Sequence, residues 1–229
     1  MIFVGIDPSA GERNPSGICF MDKSFRIILI NKWWTLNDLD AILKPLSNRI
    51  RFIGIDGPLQ PPHELDYCCF KDSVLPCHHK QTTPFKGRYC EKILNQFGFR
   101  CFVTSKNSFA KIWIKRCFEI DHHLRSEGYL TLEVYPTAVR KILFPELKGK
   151  KKSLNFRKHL QKLIEESGIQ IPQNKRVYSD DELDAVLAAY TVVLHEQKKT
   201  IVIGDEKDGF IILPKTEKIP IQYVKPHFL

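Results

Sequence analysis

The chain has 229 residues, of which 43% are apolar, and its 35 Lys and Arg against 26 Asp and Glu give a net charge of +9. A chain of this size and apolar content can bury one sizeable core. No apolar run approaches the roughly 18 residues that a membrane-spanning helix needs, so we expect no membrane span. The excess of positive charge favours a polyanionic partner such as nucleic acid.

The start of the chain and its cysteines indicate a reducing compartment. Residues 1–6 have no basic region before the apolar run and meet an aspartate at once, which predicts a strand and not a signal peptide. The seven cysteines are an odd number at irregular spacings. We therefore expect free thiols and a cytoplasmic protein.

Two predicted strands end in the same way. The first reaches Gly-Ile-Asp at Asp7 and the second reaches Gly-Ile-Asp at Asp56, and a proline stops each strand within two residues. Two buried strands of one chain seldom end on the same acidic motif. If the two strands are parallel neighbours, both carboxylates emerge at the same edge of the sheet, close enough to share a cation.

The residues between these strands predict how the chain connects them. Short strands at 18–21 and 25–31, joined by tight turns, predict antiparallel pairing. Leucines at helical spacing over 37–47 predict a crossover helix. The order is then a three-strand meander, a helix, and a fourth strand parallel to the first.

The rest of the chain alternates between helical and strand patterns. Residues 58–88 lack periodicity and two helical stretches follow up to residue 130, which predicts a loop-rich and helical insertion over 58–130. A fifth strand over 131–136, helices over 137–143, 154–167 and 181–196, and terminal strands over 200–203 and 209–213 complete the elements. We predict one α/β domain over 1–229, with a mixed five-stranded sheet whose second strand is antiparallel and helices on both faces.

The helix that begins at Asp181 carries a third acidic group. Asp181 and Asp184 are three residues apart and share one side of the helix. Acids in a first helical turn are often only favourable partners of the helix dipole. The small residues Ala185, Ala188 and Ala189 weaken that interpretation, because they allow the helix to approach a sheet closely.

These elements, in this order, resemble the RNase H-like fold, and the last helix is similar to the closing helix of RuvC-type Holliday-junction resolvases. More closely, the chain resembles an uncharacterised bacterial and archaeal family, a domain of unknown function whose members are predicted RNase H-like nucleases. Glu91 stands where that family's pattern has aspartate. The resemblance spans most of residues 1–214 and implies nuclease activity by analogy of fold. The shared motifs lie at 55–58, 88–91, 133–136, 180–185, 208–210 and 213–214.

Carboxylates at two strand ends and on one helix fit phosphodiester hydrolysis by two Mg²⁺ or Mn²⁺ ions. We predict Asp7, Asp56, Asp181 and Asp184 as metal ligands, with Asp7 between the metals. The alternative for Asp7 and Asp56 is a structural role in turns. Glu133 is a further catalytic candidate, although a fifth strand would place it two strand positions from Asp7, where it could instead hold water, a basic side chain or substrate.

The stretch before Arg88 contains Cys68, Cys69, Cys77, His78, His79 and Cys90. Structural zinc sites usually show paired cysteines with a spacing of two, and adjacent cysteines are poor chelators of one tetrahedral ion. We therefore expect buried or surface thiols here and no zinc.

Two basic clusters could bind nucleic acid. Lys150, Lys151, Lys152 and Arg157 could follow a phosphate backbone, and Lys111 and Lys115 are interleaved with aromatic residues that could stack on bases. The alternative is that both clusters are solvated helix faces.

The sequence thus favours a Mg²⁺- or Mn²⁺-dependent nuclease acting on DNA or RNA. One alternative is a noncatalytic nucleic-acid-binding module of the same fold. Another is a phosphate-ligand enzyme of the actin or sugar-kinase type, which also has an aspartate on its first strand. That class normally needs a glycine-rich phosphate loop and a duplicated second domain, whereas here Pro8 follows Asp7.

Overall fold

A computed structural model of the protein describes residues 1–71, 77–172 and 176–225. Its centre is an eight-stranded sheet in the order β3-β2-β1-β4-β5-β7-β6-β8. The strands are β1 (Ile2–Asp7), β2 (Ser16–Asp22), β3 (Ile27–Trp33), β4 (Ile50–Asp56), β5 (Thr131–Val134), β6 (Thr200–Asp205), β7 (Gly209–Pro214) and β8 (Val224–Lys225). The helices are α1 (Leu36–Leu43), α2 (Tyr89–Gln96), α3 (Lys111–Ser126), α4 (Pro136–Leu143), α5 (Leu154–Glu166) and α6 (Asp180–Glu196).

The first half of the sheet has the predicted topology. Strands β1, β2 and β3 form an antiparallel meander, and β4 pairs with β1 in parallel. Strand β3 begins two residues later than predicted because Phe25 adopts a φ of 62° in the β2–β3 turn. The Asp22 carboxylate fixes that turn by accepting hydrogen bonds from the backbone N–H groups of Ser24 and Arg26.

The prediction of a five-stranded sheet is wrong, because the sheet has eight strands. The predicted terminal strands do form, as the β6–β7 hairpin, but they extend the same sheet. Strand β7 pairs with β5 in parallel at Val134 and Ile212, and β8 pairs with β6 on the far side. The apolar residues Ile211, Ile212 and Leu213 of β7 are buried, and their burial favours this position beside β5 over an exposed edge.

Helices cover both faces of the sheet, as the period-two alternation of β1 requires. Ile2, Val4 and Ile6 face a core that includes residues of α1 and α3, whereas Phe3 faces a second core that includes residues of α2, α4, α5 and α6. Gly5 and Asp7 therefore lie on the α6 side. Within the described ranges, the structure contains no helix with the length and apolar character that a bilayer crossing requires.

Helix α6 lies unusually close to the sheet, and glycine allows this. A Cβ atom added at Gly5 would stand 2.0 Å from the carbonyl oxygen of Ala185 and 2.3 Å from the backbone nitrogen of Ala189. A Cβ at Gly17 on β2 would stand 2.2 Å from the carbonyl oxygen of Asp181. Backbone therefore packs directly on backbone over the middle of the sheet.

We expect Gly5→Ala to destabilise the fold by about 3 kcal/mol, because the added methyl group would meet helix backbone that cannot move without separating α6 from the sheet. Denaturant unfolding of the two proteins measures this. Gly11→Ala is the matched control, because a Cβ there has no atom within 4 Å, and it should leave the free energy of unfolding unchanged. Equal stability of the Gly5→Ala protein and the native chain would contradict this account of the packing.

Candidate metal centre

Asp7 and Asp56 are neighbours at the carboxyl ends of parallel strands. In the parallel pairing of β1 and β4, Gly5 lies opposite Gly54 and Ile6 lies opposite Ile55. Asp7 and Asp56 directly follow the two isoleucines. Because side chains alternate along a strand, Asp7 and Asp56 lie on the same face as Gly5 and Gly54, which is the face that α6 covers. Asp7 is only 7% exposed.

Asp184 reaches the same place from α6. The helix begins with a capping box, in which the Ser179 hydroxyl accepts from the Glu182 N–H and the Glu182 carboxylate accepts from the Ser179 N–H. Asp184, in the next half-turn, is fully buried. One carboxylate oxygen from each of Asp7, Asp56 and Asp184 lies within 4.8 Å of the other two, so the three could hold a metal ion.

Two basic side chains also reach this acidic cluster. The Lys151 ammonium nitrogen lies 2.5 Å from Oδ2 of Asp184, and an Arg140 guanidinium nitrogen lies 3.5 Å from its Oδ1. Lys151, in the α4–α5 connection, was predicted as part of a phosphate-binding surface, and in the structure it pairs with the buried Asp184 carboxylate. Arg140 was not predicted as a site residue. It lies on α4, which starts where β5 ends, and this position at the same sheet edge is the feature of the sequence that could have indicated it.

The cluster has more negative charge than its surroundings compensate. Burial, followed by the charges of Asp56 and Asp184, raises the pKa of Asp7 well above its usual range. Burial, followed by the charge of Asp184, raises the pKa of Asp56 to about 8, although Lys151 opposes the shift. Without a further cation, both carboxyl groups therefore hold their protons to a higher pH than ordinary aspartates do.

A divalent cation with a preference for hard oxygen ligands fits this donor set. Mg²⁺ commonly uses a few carboxylates and keeps several waters, so three converging carboxylates are sufficient. A bound cation would also offset the repulsion that raises the pKa of Asp7 and Asp56. The donor set does not distinguish Mg²⁺ from Mn²⁺, since both accept carboxylate oxygen.

Asp181, also predicted as a ligand, lies one turn before Asp184 on α6. It is partly buried, and burial together with the charge of Asp180 raises its pKa. It is not among the three residues whose oxygens meet within 4.8 Å. Its role in metal binding stays a prediction.

Glu133 is held in a separate buried network. Both of its oxygens accept from the Arg88 guanidinium, at 2.7 and 2.5 Å, and Oε2 also accepts from the backbone N–H of Leu59. Arg88, only 1% exposed, also donates to Glu91, whose carboxylate accepts from Thr104. Of the options for Glu133, the structure gives it a basic side chain as partner.

Asp208 belongs to one of the motifs shared with the uncharacterised family and lies in the β6–β7 turn. It connects that turn to the chain segments on either side of Arg88. Its carboxylate accepts from the backbone N–H groups of His63 and Tyr89, and it lies 2.7 Å from the His63 ring. Arg88, Glu133 and Asp208 thus fasten the start of α2 and the segment after β4 against the sheet edge.

A cleft with aromatic walls opens beside Asp56. Its lining includes Phe102 and Trp113 together with Arg88 and Glu133. The Trp113 indole N–H donates to the carbonyl oxygen of Pro8, directly after Asp7, at 2.9 Å. Trp113, which is interleaved with the second basic cluster, therefore lies next to the acidic cluster.

The predicted basic residues fall in different environments. Lys150 and Lys152 are exposed beside the buried end of Lys151, and Arg157 donates to the carbonyl oxygen of Tyr178. Lys115 pairs with Glu119 along α3, while Lys111 is partly buried at the start of that helix. Nucleic-acid contacts by these residues stay predictions.

Comparison with known proteins finds little. No family model matches the chain, so none supports its resemblance to the uncharacterised domain family, and no curated protein matches it. Among solved structures, RuvC of Thermus thermophilus is similar to it with a TM-score of 0.44 and 9% sequence identity, over 86% of this chain and 97% of that chain. At that identity and TM-score, the likeness assigns neither a fold family nor an activity to this chain.

The metal-free protein should lose stability as the pH rises from about 4 to about 8. The pKa of Asp56 is about 8 in the folded chain against 3.8 ordinarily, so the folded state holds more protons than the unfolded state across that window. The Asp56→Asn variant has a side chain that does not ionise, so this contribution to the pH dependence is absent from it. At pH 8 in a chelator it should melt several degrees above the native chain, at about 2–4 °C per kcal/mol.

Melting temperatures of both proteins at pH 4 and pH 8 measure this difference. At pH 4, near the ordinary pKa of 3.8, the two should agree closely, and added Mg²⁺ at pH 8 should raise the melting temperature of the native chain more than that of the variant. If the melting temperatures of the two proteins change equally with pH, the pKa of Asp56 is not raised in the folded chain. Asp184→Asn is a poorer choice, because it would break the ion pair with Lys151.

Proposed function

We propose that this chain is a divalent-metal-dependent nuclease of RNase H-like fold, which hydrolyses phosphodiester bonds of DNA or RNA. The observation that carries the proposal is the convergence of the Asp7, Asp56 and Asp184 carboxylates. The order β3-β2-β1-β4-β5, with β2 antiparallel, supports the fold assignment because it is the arrangement that the sequence resemblance implies.

In this proposal Asp7, Asp56 and Asp184 hold Mg²⁺ or Mn²⁺, with Asp181 nearby. When bound, the ions supply a water nucleophile at neutral pH and stabilise the leaving oxygen. The protein holds the three carboxylates on rigid elements, two strand ends and one capped helix, which keeps their positions fixed. Burial excludes bulk water around Asp7 and Asp184 and strengthens their attraction for cations.

Lys151 and Arg140 both contact Asp184 and reduce the negative charge of the acidic cluster. Before substrate binds, they partly neutralise Asp184. The Lys151 side chain is 37% exposed and approaches from a loop, so it can turn toward a phosphate oxygen when Asp184 engages a metal. We assign Lys151 to stabilising negative charge on the scissile phosphate and Glu133 to positioning Arg88 and β5.

The aromatic cleft would bind the bases that flank the scissile phosphate. Phe102 contacts both Phe109 and Trp113, with ring centroids 5.3 and 6.2 Å apart. Phe109 is 86% exposed and Phe102 is 55% exposed, an unusual exposure for rings without a partner surface. Phe102 lines the cleft beside Asp56 and Phe109 packs on Phe102, which suits an unpaired strand whose bases stack while its backbone crosses the acidic cluster.

A noncatalytic nucleic-acid-binding module is the second candidate. The specific observation in its favour is the ion pair between Lys151 and Asp184, because a permanent ammonium group there would replace a metal ion. The actin or sugar-kinase alternative gains no such support.

The cleavage assay separates the two candidates. With Mg²⁺ or Mn²⁺ the native chain should cleave single-stranded or branched nucleic acid, and a chelator should stop it. Asp7→Asn should lower the rate roughly 10²-fold or more, the cost typical of losing one charge-stabilising group. Glu206→Gln, which removes an exposed acid in the β6–β7 turn, is the control and should cleave normally. Binding of nucleic acid without any metal-dependent cleavage would contradict the nuclease proposal and support the noncatalytic binding module.

Phe109→Ala should weaken binding of a single strand by about 5- to 150-fold, because stacking on one aromatic ring is worth about 1–3 kcal/mol per base. Fluorescence anisotropy in a chelator measures affinity without cleavage. Ile112→Ala is the matched control, since it also removes an exposed apolar side chain, 62% exposed, but no ring. Equal losses in the two variants would mean that general apolar contact, and not stacking, accounts for the binding.

A further inference from the structure

A second group of potential metal ligands lies outside the acidic cluster. Cys68, Cys69, Cys77 and His79 each offer one ligand atom, and these four atoms all lie within 4.8 Å of one another. Three sulfurs and one imidazole nitrogen form a soft donor set, unlike the carboxylates of the first site. Such a set selects zinc over Mg²⁺.

The sulfur–nitrogen distances in this group match those of one tetrahedral ion. With a zinc–sulfur bond of about 2.3 Å and a zinc–nitrogen bond of about 2.0–2.1 Å, a tetrahedral site separates sulfur from nitrogen by about 3.6 Å. The sulfurs of Cys68 and Cys77 lie 3.7 and 3.6 Å from Nδ1 of His79. The Cys69 and Cys77 sulfurs are 3.0 Å apart, closer than the roughly 3.8 Å of a tetrahedron but far beyond the roughly 2.05 Å of a disulfide.

The second ring nitrogen of His79 has the partner that a metal-bound histidine requires. Nε2 lies 3.1 Å from Oδ2 of Asp66. A carboxylate there holds the ring proton on Nε2 and leaves the Nδ1 lone pair directed at the three sulfurs. Metal-ligating histidines in proteins nearly always have such an outer partner.

Lys106 secures the backbone of the same segment and balances its charge. Its ammonium group donates to the carbonyl oxygens of Cys77 and His79, at 2.7 and 3.2 Å. Three thiolates and one zinc ion carry a net charge of −1, so a nearby ammonium group is electrostatically favourable. Lys106 therefore holds the backbone of Cys77 and His79 in place and offsets the negative charge of the thiolates.

The turn that presents two of the cysteines is anchored in the protein. Cys68 and Cys69 lie on the 3-10 helix Tyr67–Phe70, and Cys69 and Phe70 are buried. Phe70 and Tyr67 pack edge-on against Phe118 of α3, with ring centroids 5.2 and 5.1 Å apart. The ligands thus start from a fixed surface, which lowers the entropic cost of assembling the site.

We propose that Cys68, Cys69, Cys77 and His79 bind one structural zinc ion, which holds the segment after β4 against α3. The expectation of free thiols relied on the adjacency of Cys68 and Cys69. The fold removes that objection, because the 3-10 turn places both sulfurs within reach of Cys77 and His79. The site is independent of the nuclease proposal, since it uses none of the acidic residues.

The test starts with metal analysis of the full chain purified from zinc-supplemented cells. We expect inductively coupled plasma mass spectrometry to find one zinc ion per chain. Zinc-edge X-ray absorption should show three sulfurs at about 2.3 Å and one nitrogen at about 2.0–2.1 Å. Cobalt exchanged for zinc should give the visible absorption of a tetrahedral thiolate site, a readout that does not depend on any activity.

Matched variants locate the site. His79→Gln and Cys77→Ser should lose zinc, whereas His78→Gln and Cys101→Ser, which alter a neighbouring histidine and a cysteine outside the cluster, should retain it. Asp7→Asn should also retain full zinc, which separates this site from the acidic cluster. If a variant fails to fold, X-ray absorption of the native protein still decides the ligand set.

Three results would overturn the proposal. The first is a zinc-free native chain after purification with zinc present. The second is an absorption spectrum with only nitrogen and oxygen ligands. The third is a Cys69–Cys77 disulfide, detected as a cross-linked peptide after alkylation of free thiols, because oxidised sulfurs would not bind the ion.

Discussion

The close contact between α6 and the sheet is the constraint on which the rest of the structure depends. Gly5 and Gly17 allow the backbone of the helix to lie directly on β1 and β2, and the small residues Ala185 and Ala189 complete the contact from the other side. This packing places Asp184 over the ends of β1 and β4. A side chain larger than glycine at position 5 would separate the two layers, and with them the three carboxylates.

That packing concentrates negative charge where water is scarce. Asp7 and Asp184 are almost fully buried, and the cost appears as raised pKa values at Asp7 and Asp56. Lys151 and Arg140 offset the charge only in part. An arrangement of this kind is unfavourable for the empty fold and favourable for cation binding, a combination found at many functional sites.

The opposite wall of the site is built from groups with structural partners. Arg88 joins Glu91 and Glu133 below the cleft, and Asp208 ties the start of α2 to the β6–β7 turn. The proposed zinc site extends this bracing to the segment before α2. Rigid support on this side keeps Phe102 and Trp113 next to the acidic cluster, where they offer a fixed surface to the nucleic-acid strand of the proposed function.

The sequence by itself determined the helices α1 to α6, the strands β1 to β7 and the three aspartates that converge, but not β8. Gly-Ile-Asp at two strand ends, the meander, and the small residues of the last helix follow from local patterns with periods of 2 and 3.6 residues. Pairing between distant segments has no local signature, so only the tertiary structure decided that β7 joins β5 and makes the sheet eight-stranded. The same reason applies to Lys151, Glu133 and Cys77. Their partners, Asp184, Arg88 and Cys69, are set by how the chain folds back on itself and not by spacing along it.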